Sequence, residues 1–373
     1  MKTAFLKHCY CVRQWLLLTC ILSGLSSPVL GQNGLHFDGT NDRVEISKDI
    51  SGAELSNNVS GSGNGVTVEA WIRSTSSANE DDIVSFSNVA NTSNVCEFRM
   101  QGGKLEVGWW NGATWANLVS NSSVNTGSWV HVAYTRSGNT VRLYINGTED
   151  KSSTITNTIS VNRMSIGNVV RSDGWQSTYY FSGTMDEVRV WKRARTAAEI
   201  ASGYRVRMVG NETDLYAYYR FDHGTASGTN TGVTSLTNLT STTGLDGTLT
   251  NFALTTGSTS NWVTGQAFLP NVTTTTAVSI TSSGATSGGV VSDDGGSPVT
   301  ARGLVWGVTS SPTVLSLLTK TSDGTGIGTF SSAVSSQPAA TTYYYRAYAT
   351  TSLGTNYGSE ASFTTLAQAI PNI

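Results

Sequence analysis

Between residues 35 and 204 the chain repeats one pattern: short runs with an apolar residue at every second position, separated by turn formers. Val66, Val68, Ala70 and Ile72 alternate with Thr67, Glu69, Trp71 and Arg73. Val130, Val132 and Tyr134 do the same, and so do Val141, Leu143 and Ile145. A period of two sends alternate side chains to opposite faces of a β-strand, so the first run predicts a half-buried strand. Many short strands joined by turns build a sandwich or a barrel. Asn146-Gly147 predicts a type I′ hairpin, because both central residues need positive φ. The turn 137–139 joins the two strands before it in the same way. Helix is expected once, at 196–204, where Thr196 caps and Glu199 reaches back to form a capping box. An aromatic strand follows at 215–221. The Ser/Thr/Gly/Asn-rich stretch 224–260 reads as exposed loop or linker with one strand at 247–252.

Composition agrees with an all-β chain. Its 373 residues suffice for two domains, only 13% are charged, and 10 Trp and 14 Tyr suit strands better than long helices. Residues 1–31 carry Lys2, Lys7 and Arg13 ahead of an apolar run at 15–25, with small residues before Gln32. That is the form of a secretory signal, and the run is too short to span a bilayer. The expectation is therefore a secreted protein, extracellular or at a cell surface, with no membrane span after signal removal. Without that segment 20 basic residues face 25 acidic ones. A mildly acidic chain with no Lys/Arg cluster excludes nucleic acid as a partner. Cys9, Cys11 and Cys20 would leave with the signal, so Cys96 has no disulfide partner.

Five fragments in order bring a family into view: 35–46 (LHFDGTNDRVEI), 68–72 (VEAWI), 127–133 (GSWVHVA), 143–147 (LYING) and 185–191 (MDEVRVW). Together they resemble the laminin-G-like, concanavalin A-like jelly rolls of secreted bacterial proteins. The resemblance implies an antiparallel jelly-roll β-sandwich. One departure stands out. A segment like 216–222 (YAYYRFD) commonly precedes the opening motif in this family, whereas here it follows the helix. Either it pairs back into the same sandwich or it is the remnant of a second repeat. From about residue 271 a smaller pattern begins, with strands at 303–307, 342–350 and 357–365. It resembles fibronectin type III-like, immunoglobulin-like modules, and the overall style is similar to that of Bacteroidetes proteins. The expected organisation is a signal at 1–31, a jelly roll over 32–266 completed by 210–266, a fibronectin type III-like domain over 267–368, and a tail at 369–373.

Two sets of residues could carry chemistry. Asp38, Asn41 and Asp42 share a Gly-containing turn, and alternation places Asp186 on the face of Val188 and Val190, pointing inward. Oxygen donors without His or Cys suit Ca²⁺ rather than zinc. The resemblance implies a structural Ca²⁺ between these two segments. The competing reading is Asx-turns at Asp38 and Asp42, with Asp186 paired to Arg43 or Arg189. The second set is aromatic. Trp109, Trp110 and Trp115 flank Asn111-Gly112 at the tip of an expected hairpin, with Trp175, Tyr179 and Tyr180 further on. Such rings stack on sugars, and they also stabilise hairpins as cross-strand pairs. Trp71, Trp129 and Trp191 belong to strand motifs and read as core. Glu80-Asp81-Asp82 reads as a solvated turn, and His131 as a core histidine. Glycoside hydrolysis needs paired carboxylates; jelly-roll hydrolases of the kind this chain resembles carry them on one strand as Glu-x-Asp-x-x-Glu or a close variant, and no such string occurs here. No nucleophile with its base is apparent. The expectation is a non-catalytic binding or adhesion protein whose partner is carbohydrate or a cell-surface polymer. Spacer modules of an extracellular assembly and a polysaccharide hydrolase are the alternatives.

Overall fold

The computed structural model describes residues 32–50, 55, 59, 65–90, 94–315 and 319–369. The expected signal at 1–31 lies outside them, as do residues 370–373 of the expected tail. The protein is all-β, with 47% strand against 3% helix. In chain order the strands begin β1 (Asn33–Asp38), β2 (Arg43–Ile46), β3 (Val66–Arg73), β4 (Asp81–Ser87), β5 (Val95–Gln101), β6 (Lys104–Trp110) and β7 (Trp115–Ser123). Next come β8 (Val130–Ser137), β9 (Thr140–Ile145), β10 (Thr148–Thr154), β11 (Arg163–Ile166), β12 (Val170–Arg171), β13 (Gly174–Trp175) and β14 (Ser182–Trp191). Helix α1 (Ala197–Gly203) precedes β15 (Leu215–Tyr219), β16 (Ser235–Leu236), β17 (Gly247–Thr250) and β18 (Trp262–Thr264). The last group is β19 (Asn271–Thr274), β20 (Ala285–Asp293), β21 (Ala301–Gly307), β22 (Gly328–Val334), β23 (Thr342–Thr351), β24 (Gly354–Tyr357) and β25 (Ala361–Thr364).

Two eight-stranded antiparallel sheets form the large sandwich. The first runs β10-β9-β8-β3-β14-β1-β18, with β15 beside β14, and the second runs β16-β17-β2-β11-β4-β5-β6-β7. Alternation explains the core. Val66, Val68, Ala70 and Ile72 from β3 meet Phe86, Phe98, Val107 and Trp109 from the second sheet, all fully buried. Each such side chain contributes about 1.5–3 kcal/mol. The Asn146-Gly147 turn has φ of 49° and 80°, as a type I′ hairpin requires.

The segment expected as loop or linker is part of this sandwich. β15 pairs with β14, β17 with β2 and β18 with β1. Tyr219, Phe221, Leu236, Leu245 and Trp262 are fully buried in the same core. Of the two alternatives for the displaced segment, the pairing gives a return into the first sandwich.

Two further expectations are corrected. β3 is not half-buried, because its second face is covered as well: Thr67 and Glu69 are fully enclosed and Trp71 nearly so. Arg195 donates to Glu69 at 2.7 Å, Trp191 Nε1 at 2.6 Å, and His131 Nε2 lies 3.2 Å from the same carboxylate. Burial alone would raise the Glu69 pKa, but the His131 hydrogen bond and the charge of Arg195 hold it far below the usual carboxylate range. The second correction concerns β14. Glu187 adopts φ of 53° and the register shifts between Asp186 and Arg189. This bulge reverses the alternation, so Asp186 lies opposite Trp71 on the outward face rather than beside Val188 and Val190.

The smaller sandwich packs a three-stranded sheet, β19-β20-β22, against a four-stranded sheet of β21, β23, β24 and β25. Leu304, Trp306, Tyr343, Tyr345 and Phe363 form its main core cluster. It is tied to the larger sandwich by a parallel bridge between Val206 and Leu269 and by Arg220 donating to Asp293 at 3.3 Å.

Candidate functional site: a polar and aromatic cleft on the second sheet

Strand β5 buries Cys96, Phe98 and Met100 in the core, which sends Val95, Glu97 and Arg99 to the opposite face. The β5–β6 ladder sets Glu97 across from Gly108, Arg99 across from Glu106 and Val95 across from Trp110. The next ladder sets Trp110 against Trp115. Gly108 is required here. A Cβ at that position would overlap the Trp115 ring, so its absence lets the indole lie down on the sheet. Arg171 and Tyr179 reach over from the segment that carries β12 and β13. The result is a cleft of about 350 Å³ lined by Glu80, Glu97, Arg99, Trp110, Trp115, Arg171 and Tyr179, with Val95 in its wall.

The charged groups in this cleft fix one another. Glu97 accepts from Arg99 at 2.7 Å through one oxygen and from Arg171 at 2.6 Å through the other. Arg99 Nε also donates to Glu106 at 3.3 Å, Asn117 donates to Glu106 at 2.6 Å, and Glu80 lies 3.6 Å from Arg99. Each guanidinium faces a ring: Arg99 sits 5.0 Å from the centroid of Trp115, and Arg171 4.8 Å from that of Tyr179. Burial pushes the Glu97 carboxyl upward, against the two guanidiniums that pull it down. Beneath, Asp82 is fully buried, and burial together with the charge of Glu97 keeps its carboxyl well above the ordinary range. Rigid donors and acceptors beside flat apolar faces suit hydrogen bonding and stacking against a polyhydroxylated ring.

Trp110, Trp115 and Tyr179 thus converge on one cleft, and Trp109 does not. Adjacent strand residues face opposite ways, so Trp109 lies fully buried in the core with its Nε1 donating to the Val59 carbonyl at 3.2 Å. Its expected role as a stacking surface is corrected on that ground. Trp175 stands apart, in a smaller depression with Arg163 and Thr248, under the guanidinium of Arg43 at 4.6 Å. The reading of Glu80-Asp81-Asp82 as a solvated turn is also corrected, since Asp81 and Asp82 open β4 and are buried.

Asp186 does not meet the other three proposed calcium ligands. Asp38 pairs with Ser182, so Asp186 lies four residues further along β14, roughly 13 Å at strand spacing. Asp38 Oδ1 accepts from the backbone N–H of Thr40 and Asn41, an Asx-turn, while Asn41 is exposed. Asp42 accepts from Ser260 Oγ at 2.8 Å and from the Asp38 N–H at 2.9 Å. Asp186 accepts from the Gln266 N–H at 2.9 Å. Asp38, Asn41, Asp42 and Asp186 therefore do not fit a single Ca²⁺. Among the described residues no group of three or more His, Cys, Asp or Glu is placed to hold a metal ion.

Sequence reasoning missed Glu97, Arg99 and Arg171. A signal for the first two was present: two charges at i and i+2 in a strand whose other face is Cys96, Phe98 and Met100. Arg171 had none, because a loop folding over a sheet leaves no periodic trace.

Comparison with known proteins adds a family to which part of the chain is similar. Residues 38–201 match the Laminin_G_3 model, described as the concanavalin A-like lectin/glucanases superfamily. No curated protein sequence matches the chain. Among solved structures it is similar to a SAP-like pentraxin from Limulus polyphemus, at 16% identity and a TM-score of 0.37 over 46% of this chain and 81% of that one. A putative carbohydrate binding protein from Bacteroides ovatus gives 20% identity and 0.42 over 59% and 58%. The sialidase CBM40 of Ruminococcus gnavus, bound to alpha2,3 sialyllactose, gives 16% and 0.37 over 47% and 97%. On this match and its strand pairing, the larger sandwich is similar to the concanavalin A-like jelly-roll domains that the Laminin_G_3 model describes.

Proposed function

We propose that this protein binds carbohydrate, through the cleft walled by Trp110, Trp115 and Tyr179. The observation that carries the reading is their convergence: three aromatic side chains from two distant segments edge one cleft floored by oriented Glu and Arg groups. The concanavalin A-like domain supports the same class of ligand, although fold alone does not fix function. A non-catalytic role is supported by the carboxylates themselves. Both oxygens of Glu97 are engaged by guanidiniums and Asp82 is buried, so neither is presented to a substrate for proton transfer. We read the smaller sandwich as a fibronectin type III-like module, supported by its three-plus-four strand arrangement and Tyr-rich β23. Export is supported by the basic and apolar pattern of residues 1–31.

Affinity electrophoresis and calorimetry against a panel of soluble polysaccharides test the reading. Binding to at least one is expected, and Trp115→Ala should weaken it about thirtyfold, the loss of about 2 kcal/mol of stacking and burial. Absence of binding to every polysaccharide, or binding that Trp115→Ala leaves intact, would overturn it.

A further inference from the structure

The charge inventory of the cleft narrows its ligand. Three carboxylates, Glu80, Glu97 and Glu106, surround two guanidiniums, Arg99 and Arg171, and every guanidinium–carboxylate contact falls between 2.6 and 3.6 Å. An anion-binding site needs cationic donors whose charge is not already met by the protein. Here Glu97 pairs with both at once, and Glu106 and Glu80 add to Arg99. Asp82 beneath the floor brings no further cation, and Arg43 and Arg163 belong to the separate depression beside Trp175. A bound uronate, sialate or sulfate would meet a cluster of three carboxylates (Glu80, Glu97, Glu106) and two guanidiniums (Arg99, Arg171), net formal charge -1, with both guanidiniums already paired to Glu97. A sugar hydroxyl meets something different. It donates and accepts at once, and a fixed carboxylate–guanidinium pair offers one acceptor and one donor side by side. The rings of Trp115 and Tyr179, each backed by a guanidinium, provide the apolar surface for the C–H face of the same sugar.

We infer that the cleft selects neutral glycans and disfavours acidic ones. This rests on the carbohydrate-binding reading above and adds the charge class of the ligand.

A glycan array carrying matched neutral and acidic members, followed by calorimetry on the hits, tests it with the whole protein. Neutral glycans should bind, and each acidic counterpart should bind about tenfold more weakly, a gap that shrinks as salt is raised. Glu80→Gln brings that five-group cluster from -1 to neutral, and the ratio of acidic to neutral affinity should rise about fivefold. Glu80 is about one-third exposed, so this variant keeps the buried pairs of Glu97 and Glu106 intact. Acidic glycans that bind as tightly as neutral ones, and lose binding in Trp115→Ala, would overturn the selectivity and leave the carbohydrate reading standing. No glycan of either class binding would remove the reading itself and this inference with it.

Discussion

A single position of strand parity decides much of this protein's chemistry. Trp109 and Trp110 are neighbours in sequence, yet one fills the core and the other edges the cleft. Cys96 and Glu97 divide in the same way. The Cys96 thiol is fully buried, with Sγ 3.7 Å from the Tyr134 hydroxyl, and burial pushes its pKa up to about 12. A thiol held protonated and enclosed is a poor nucleophile. Iodoacetamide at pH 8 should therefore leave the Cys96 peptide unmodified in the native protein and modify it fully after denaturation, as read by mass spectrometry. Native labelling of Cys96 would show that this part of the core opens.

At the scale of elements, helix α1 shows how far local signals reach. The sequence expects a capping box, and Thr196 Oγ1 accepts from the Glu199 N–H at 3.2 Å while Glu199 accepts from the Thr196 N–H at 2.8 Å. Glu199 also accepts two bonds from Arg193, at 2.7 and 2.9 Å, which no local rule foretold. The Arg193 hydrogen bond, aided by the Thr196 N–H and opposed by slight burial, lowers the Glu199 carboxyl to about 2. A depressed carboxylate stabilises the fold above its unfolded value near 4.5 and loses that contribution as pH falls toward 2. Glu199 is over one-third exposed, so solvent and salt keep the effect modest. Melting curves of Glu199→Gln and the parent protein should differ most at pH 6 and converge as pH drops to 2. Thr196→Ala, which removes the cap oxygen, should cost about 1 kcal/mol at neutral pH.

For the whole molecule, the decisive fact is that the jelly roll does not end where its most recognisable motifs end. Strands β15, β17 and β18 cover edges in both sheets, and they bring Tyr219, Phe221 and Trp262 into the core. A chain stopped after Gly210 would expose those strand edges and lose three fully buried aromatic side chains, each worth about 3–5 kcal/mol. That total, about 9–15 kcal/mol, is comparable to the whole stability of an ordinary domain. Such a truncation should aggregate or lack a cooperative melt, whereas a chain ending after Gln266 should retain one. A cooperative melt from the shorter piece would mean that the last four strands only decorate the sandwich.

The sequence alone determined the all-β class, most strands of the larger sandwich, the Asn146-Gly147 turn and the capped helix. These follow from periods of two, turn residues and capping pairs within a few positions, and such interactions are local. It also placed Trp110, Trp115 and Tyr179 among the stacking candidates. Tertiary structure decided the rest. The bulge at Glu187 turned Asp186 off the core face, and the β1–β14 register kept it away from Asp38, so Asp186 never joined Asp38, Asn41 and Asp42. The return of β15, β17 and β18 made core out of a stretch whose composition reads as loop. Arg171 reached Glu97 across 74 residues of chain. Register, bulges and long-range ion pairs depend on which strand lies beside which, and a two-residue period is silent about its neighbours.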